Sequence, residues 1–242
     1  MTIFRKFRKP RFLFVYPLAV ICFLMAHPTR LAFQLGIPVM GLGEAIRLWA
    51  NGYVGHRKVN KAQGPLKIGH LITGGPYAFV RHPLYLGSLL IGAGFCLVVG
   101  HWGLGLAALA GFILIYRPKI AEEEATLRRE WPEAFEHYAS AVPRWLPDGR
   151  RYAHPYGAWS WRGLVASKEW KTVMGIGALL ILFYFREVLI RQREPWGGEH
   201  QARHLWFAGL LVCLLLSDRL LERWRNGKLG SSGVMHTPSG TG

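Results

Sequence analysis

Gly75-Pro76-Tyr77-Ala78-Phe79-Val80-Arg81-His82-Pro83-Leu84-Tyr85-Leu86-Gly87 decides how this chain is to be read. It sets a turn, two cationic-capable side chains and two tyrosines where an apolar helix begins. That helix, expected over Leu84 to Gly100, is long enough to enter a bilayer. An Arg-His pair at its mouth serves stability poorly, because charge near lipid is costly and usually belongs to a site or a pathway. The stretch points to a membrane enzyme that binds something polar at the water–lipid boundary.

Working outward, the 242 residues are 51% hydrophobic, with mean hydropathy +0.16. The apolar residues are blocked into runs, which signals membrane spans. About six are expected: Phe12–Ala26, Leu31–Ala50, Leu84–Gly100, Trp102–Tyr116, Trp170–Ile190 and Leu205–Leu221. The tight connections at His27-Pro28 and Gly100-His101-Trp102 make two hairpins of the first four. The formal net charge is +16. Most Lys and Arg fall between the runs, which fits anionic headgroups and argues against nucleic acid.

The N-terminal basic cluster, the loop with Arg57, Lys58, Lys61 and Lys67, and the segment with Lys119, Arg128, Arg129, Arg144, Arg150 and Arg151 share one side. So does the end with Arg219, Arg223, Arg225 and Lys228. The positive-inside rule makes that side cytoplasmic, with both termini on it. Phe12–Ala26 follows a basic start without a clean cleavage site, so it is expected as an uncleaved span. The loop Arg186–Arg203 carries arginines yet lands outside, which leaves a re-entrant last hairpin open.

Gly103, Ala107 and Gly111 form a small-residue stripe suited to close helix packing. Leu127, Trp131, Phe135 and Tyr138 recur at helical spacing between Pro118 and Val142, and predict an amphipathic surface helix restarted at Pro132. Val142 to Pro147 is expected to be extended. Cys22, Cys96 and Cys213 lack metal-ligand spacing and read as small buried hydrophobes. Glu199-His200-Gln201-Ala202-Arg203-His204 offers two histidines but no third ligand, so no metal is expected. Residues 228–242 read as a disordered tail.

The candidate chemistry follows. Gly74-Gly75-Pro76 permits a bend, and Pro83 suits a first helical turn. The helix start offers amide donors to an anion, Arg81 adds a bidentate donor, and His82 a proton carrier. Contact with lipid phosphates is the competing reading of this pair. Glu122-Glu123-Glu124 returns to the same face if the hairpin forms. Each carboxylate there either accepts hydrogen bonds from a ligand or complements a helix N-terminus.

Arg81-His82-Pro83-x-Tyr85-x-Gly87, an apolar hairpin and Glu122-Glu123-Glu124 together resemble the integral-membrane methyltransferases, which include isoprenylcysteine carboxyl methyltransferase and the phospholipid methyltransferases. Gly43-x-x-x-Arg47-x-Trp49-Ala50 and Leu71-Ile72-Thr73-x-Gly75-Pro76-Tyr77 resemble the upstream part of bacterial members. Leu127, Trp131, Tyr138, Val142, Arg144 and Pro147 resemble the tail that closes the cofactor pocket. The likeness covers about Gly43 to Pro147. Trp131-Pro132 departs from the usual Phe-Gly, and Phe135 from the usual Tyr.

The resemblance implies an all-α polytopic bundle with a cytoplasmic pocket for S-adenosyl-L-methionine, closed by the amphipathic helix. It also implies a lipid-like or hydrophobic acceptor entering from the bilayer of a bacterial inner membrane. Tyr77, Arg81, His82, Tyr85, Gly87, Glu122, Glu123 and Glu124 become the expected cofactor site. Three glutamates in a row leave the key one open. Arg81, His82 and Arg144 become the expected catalytic set. The organisation would be a first span over 1–30, the core over 31–147, an additional hairpin over 148–227 and the tail. Membrane sterol-type reductases using NADPH share an Arg-His-Pro-x-Tyr element but typically carry Asn where Leu84 stands. A non-catalytic protein with a vestigial site is the third reading.

Overall fold

A computed structural model describes residues 21–61, 71–191 and 201–231. The described residues are helical, turn or irregular, with no strand among them. They fall into two units, Met1–Glu169 and Trp170–Gly242. Three helices are long and apolar enough to cross a membrane, over Arg30–Val54, Trp102–Glu130 and Gln201–Trp224. Pro83–Val99 is apolar but shorter, and Trp170–Phe185 has 16 residues. Most of the first expected span lies outside the described residues.

In the first unit, α1 (Arg30–Lys61) packs antiparallel against α2 (Pro83–Val99). Glycine permits the crossing. A Cβ on Gly43 would sit 2.6 Å from the Gly87 carbonyl oxygen, and one on Gly36 would sit 2.6 Å from that of Gly94. Both pairs are spaced by seven residues, so one seam of each helix faces the other along two turns. The expected stripe at Gly103, Ala107 and Gly111 is not such a seam: a Cβ on Gly111 would meet nothing within 4 Å, and Gly105 is the glycine that approaches Cys96. Four-residue spacing marks a face; only the neighbour decides whether that face is used. Cys213 is likewise exposed rather than buried.

Gly100, with φ 69°, ends α2. His101 then caps α3 (Trp102–Glu130) by accepting the Leu104 amide at its Nδ1. α3 has 29 residues and passes through Pro118 without ending. At 1.5 Å per residue it is about 43 Å long, some 13 Å beyond a hydrocarbon core. The membrane helix and the first half of the expected amphipathic helix are therefore one rod. Glu122, Glu123 and Glu124 lie in its interior rather than at a helix start.

The break comes at Trp131, and α4 (Pro132–Ala141) begins on proline. Phe135 and Tyr138 of α4 pack with Leu71 and Val142, flanked by Leu127, Trp131, Ala139 and Tyr152. This is a water-soluble type of core at the polar end of the helices. Beyond Val142 the chain becomes a strap over the 71–81 turn. Arg81 donates its amide to the Pro143 carbonyl, Tyr152 to Ala78, and both Thr73 and Gly74 to Tyr156. Gly75 has φ 61°, and a Cβ there would meet the Tyr53 ring at 2.3 Å. The strap ends in α5 (Trp161–Ser167), capped by Ser160 and packed on α1.

The second unit is an antiparallel hairpin of α6 (Trp170–Phe185) and α7 (Gln201–Ser231). A π-helical turn, Arg186–Arg191, continues α6. Lys171 bridges Asp218 and Glu222 at one end, and Tyr184 stacks on Phe207 at the other, ring centroids 4.1 Å apart. Exposed Trp206, Leu215, Leu216 and Leu220 on α7 suit lipid as the surrounding solvent.

Candidate active site

Glu124 organises the first unit's polar end. It is 2% exposed although it sits on the rod that leaves the apolar zone. Its Oε1 accepts from Arg81 Nη1 at 2.9 Å, from His82 Nε2 at 3.0 Å and from Arg144 Nε at 3.0 Å. Its Oε2 accepts from Arg144 Nη2. Three elements deliver these donors: the turn before α2, the cap of α2 and the strap after α4. A buried carboxylate is tolerable only when its lone pairs are filled in this way.

The turn that carries Arg81 is fixed by further contacts. Tyr138 donates its hydroxyl to the Tyr77 carbonyl at 2.7 Å, locking α4 onto the turn that carries Arg81. Burial pushes the Tyr138 phenol above its ordinary range, so it remains a donor. Burial also holds the His82 imidazole below its ordinary range, against the opposing hydrogen bond from Glu124. A carboxylate only accepts, so His82 donates through Nε2 and its Nδ1 is the acceptor in the neutral ring.

The three glutamates take three environments. Glu124 is buried and saturated. Glu123 is exposed and accepts the Tyr85 hydroxyl at 2.6 Å. Glu122 is exposed, its backbone carbonyl accepting Thr126 Oγ1. Tyr85 also packs on Tyr116 at 5.3 Å between centroids. The structure thus brings together Arg81, His82, Glu124 and Arg144, with Tyr85 and Glu123 alongside. Tyr77 contributes its carbonyl.

The structure adds the surroundings of two further parts of the expected site. Gly87 faces α1, where a Cβ would strike Arg47 Cγ at 2.5 Å; its smallness makes room for an arginine stem. The α2 start is also less open than a bare helix end. The Tyr85 and Leu86 amides are both used, each 3.1 Å from the His82 carbonyl oxygen.

Sequence reasoning missed a second polar cluster on that α1 side. Arg47 donates through Nε to Glu169 at 2.7 Å and through Nη1 to Ser88 and the Leu84 carbonyl. Asn51 donates to the other Glu169 oxygen at 2.7 Å. An Arg one turn from a Glu inside an apolar run was the available signal.

Among the described residues, one nitrogen of the first cluster is left over: Arg81 Nε is buried and has no hydrogen-bond partner. With two arginines against one saturated carboxylate, the cluster has positive charge and a donor to spare. Two apolar hollows, one against Trp206 and Leu210 and one against Phe33 and Ile37, are lined by none of these residues.

The phospholipid methyltransferase family profile matches residues 31–133. A nickel-cobalt-cadmium resistance protein of Alcaligenes xylosoxydans xylosoxydans is 34% identical over 123 residues, 47% of each chain. A cobalt-zinc-cadmium resistance protein of Cupriavidus metallidurans is 32% identical over 117 residues, 48% of this chain and 50% of the relative. The protein-S-isoprenylcysteine O-methyltransferase of Schizosaccharomyces pombe is 31% identical over 77 residues, 32% of this chain and 33% of the relative. The chain spans about half the length of the first two relatives and a third of the last. No solved structure matches it. The matched segment, residues 31–133, holds the α1–α2 seam together with Arg81, His82 and Glu124, and the likeness to phospholipid methyltransferases falls on this segment.

Proposed function

We propose that this chain transfers a methyl group from S-adenosyl-L-methionine to a lipid-embedded or hydrophobic acceptor at the cytoplasmic membrane face. The observation that carries the reading is the buried Glu124 cluster with its spare Arg81 Nε donor, inside the family-matched segment.

The residues fit the cofactor. Arg81 Nε suits its carboxylate, by a charge-assisted hydrogen bond. Glu123 and Tyr85 present an exposed carboxylate and a half-buried ring to its ammonium, ribose hydroxyls or sulfonium. Glu124 acts inside the protein, holding Arg81, His82 and Arg144 in register. When bound, the cofactor supplies a methyl group on a positively charged sulfur. Transfer is an in-line displacement, so positioning supplies much of the rate. A carboxylate acceptor arrives ionised and needs no base. An amine acceptor must lose a proton, and the neutral His82 ring, held by Glu124, has Nδ1 for that task.

The names of two relatives raise metal handling. What favours methyl transfer is the Glu124 cluster inside the matched segment. The test is titration of S-adenosylhomocysteine into detergent-purified protein, with NADPH in parallel and Arg81→Ala as control. Saturable binding weakened by the substitution supports the proposal. Binding of NADPH alone moves the protein to the reductases, and binding of neither favours a vestigial site.

A further inference from the structure

We infer that Arg47 and Glu169 are positioning residues, whose ion pair sets the first turn of α2 beneath Arg81, His82 and Tyr85. Arg47 lies on a membrane-crossing helix, where an ionised side chain needs a specific reason to persist. Its guanidinium reaches three groups at once: the Glu169 carboxylate, the Ser88 hydroxyl and the Leu84 carbonyl. Leu84 and Ser88 bracket Tyr85 on the same turn of helix, and Ser88 also donates back to the Leu84 carbonyl at 2.8 Å. The Arg47 stem passes through the space that Gly87 leaves empty.

Glu169 is 3% exposed and comes from the far end of the strap. Lys168, just before it, has φ 59°, the one described non-glycine residue with positive φ. That backbone state is uncommon for a side-chain-bearing residue and persists where surroundings demand it. Here it ends α5, immediately before the residue whose carboxylate meets Arg47 and Asn51. Glu44 adds to the argument. It is 7% exposed, its nearest oxygen is 3.8 Å from Arg47 Nε, and neither oxygen has a hydrogen-bond partner among the described residues. Arg47 thus engages the distant Glu169 in preference to the carboxylate one turn away on its own helix. A pair built only to neutralise charge would have used the local partner. The pair chosen ties the strap to α2.

Breaking one partner alone strands a buried charge and can unfold the protein, so the test removes both. Purified Arg47→Gln/Glu169→Gln protein is compared with wild type by thermal unfolding, by hydrogen exchange of the peptide covering 82–90, and by S-adenosylhomocysteine titration. Only the titration rests on the proposed function. The expected result is a Tm close to wild type, with exchange in 82–90 about tenfold faster and S-adenosylhomocysteine affinity about tenfold weaker. Arg47→Lys should not restore either, since one ammonium cannot serve three divergent acceptors. Unchanged exchange in 82–90, or faster exchange spread evenly over the first unit with a lowered Tm, overturns the inference. If wild type itself binds no S-adenosylhomocysteine, the proposed function falls, and the exchange result alone decides this point.

Discussion

The two polar clusters on either side of α2 are built with opposite charge logic. Around Glu124 a carboxylate stands at the centre and donors converge: the Arg81 and Arg144 guanidiniums and the neutral His82 ring. Around Arg47 a cation stands at the centre and carboxylates converge: Glu169 in contact, Glu44 at 3.8 Å. The first has positive charge and a donor left over; in the second the Arg47–Glu169 pair balances, and the Glu44 oxygens have no hydrogen-bond partner among the described residues. The first also lies where the rod emerges from the apolar zone, while the second is enclosed between helices. A surplus of donors at a water-facing end suits an anionic ligand group. A saturated guanidinium inside the bundle suits geometry. The same residue types do different work because of where the surplus lies.

Removing the centre of the first cluster should have the largest effect. Glu124→Ala leaves Arg81 facing no counter-charge in a buried position, and a loss of about 3–5 kcal/mol is expected. Thermal unfolding in detergent measures it, and a Tm within a degree of wild type would remove Glu124 from its organising role. Next come the spokes. Arg81→Ala should weaken S-adenosylhomocysteine binding by about ten- to a hundredfold, the worth of a charged hydrogen bond. Arg144→Ala should cost less in stability, because the Arg144 side chain is 44% exposed. Equal stability losses for the two would blur the distinction between a buried and a screened spoke.

The second cluster depends on room made by glycine. Gly87→Ala would press a methyl group against Arg47 and the Gly43 carbonyl, at a cost of about 1–3 kcal/mol. Gly111→Ala meets open space and should be neutral or stabilising by up to about 1 kcal/mol. The reverse ranking in unfolding midpoints would place the close seam elsewhere.

The smallest effect is on pH. His82 has a folded pKa below its usual 6.5 because burial disfavours the charged ring. The unfolded chain therefore takes up the proton more readily. The His82 contribution is full above about pH 6.5, is lost as pH falls below that value, and levels off beneath the folded pKa. Stability measured from pH 8 to 5 should fall along this course, and His82→Gln should flatten it. A wild-type slope of opposite sign would mean that the Glu124 hydrogen bond outweighs burial.

Much of this was legible beforehand because it is local. Apolar run length announced the helices, Pro83 and Pro132 announced two helix starts, and Arg81-His82 with the glutamate triplet held members of the Glu124 cluster. What failed to show was anything set by a neighbour across the fold. Glu122, Glu123 and Glu124 are identical in sequence; their separate fates follow from 100° steps around a helix whose rotation is set by packing on α2. That Gly87 lies against the Arg47 stem could not be read from the motif around it. Glu169, 122 residues from Arg47, carried no signal at all.

Composition and periodicity alone therefore determined a helical, membrane-embedded chain and the residues available for chemistry, because both depend on transfer of each segment from water to lipid. Tertiary structure alone decided which glutamate is buried, which glycines touch and which carboxylate Arg47 selects. Those outcomes depend on distances of a few ångströms between segments far apart in the chain, and hydrogen bonds and steric contacts act only at that range.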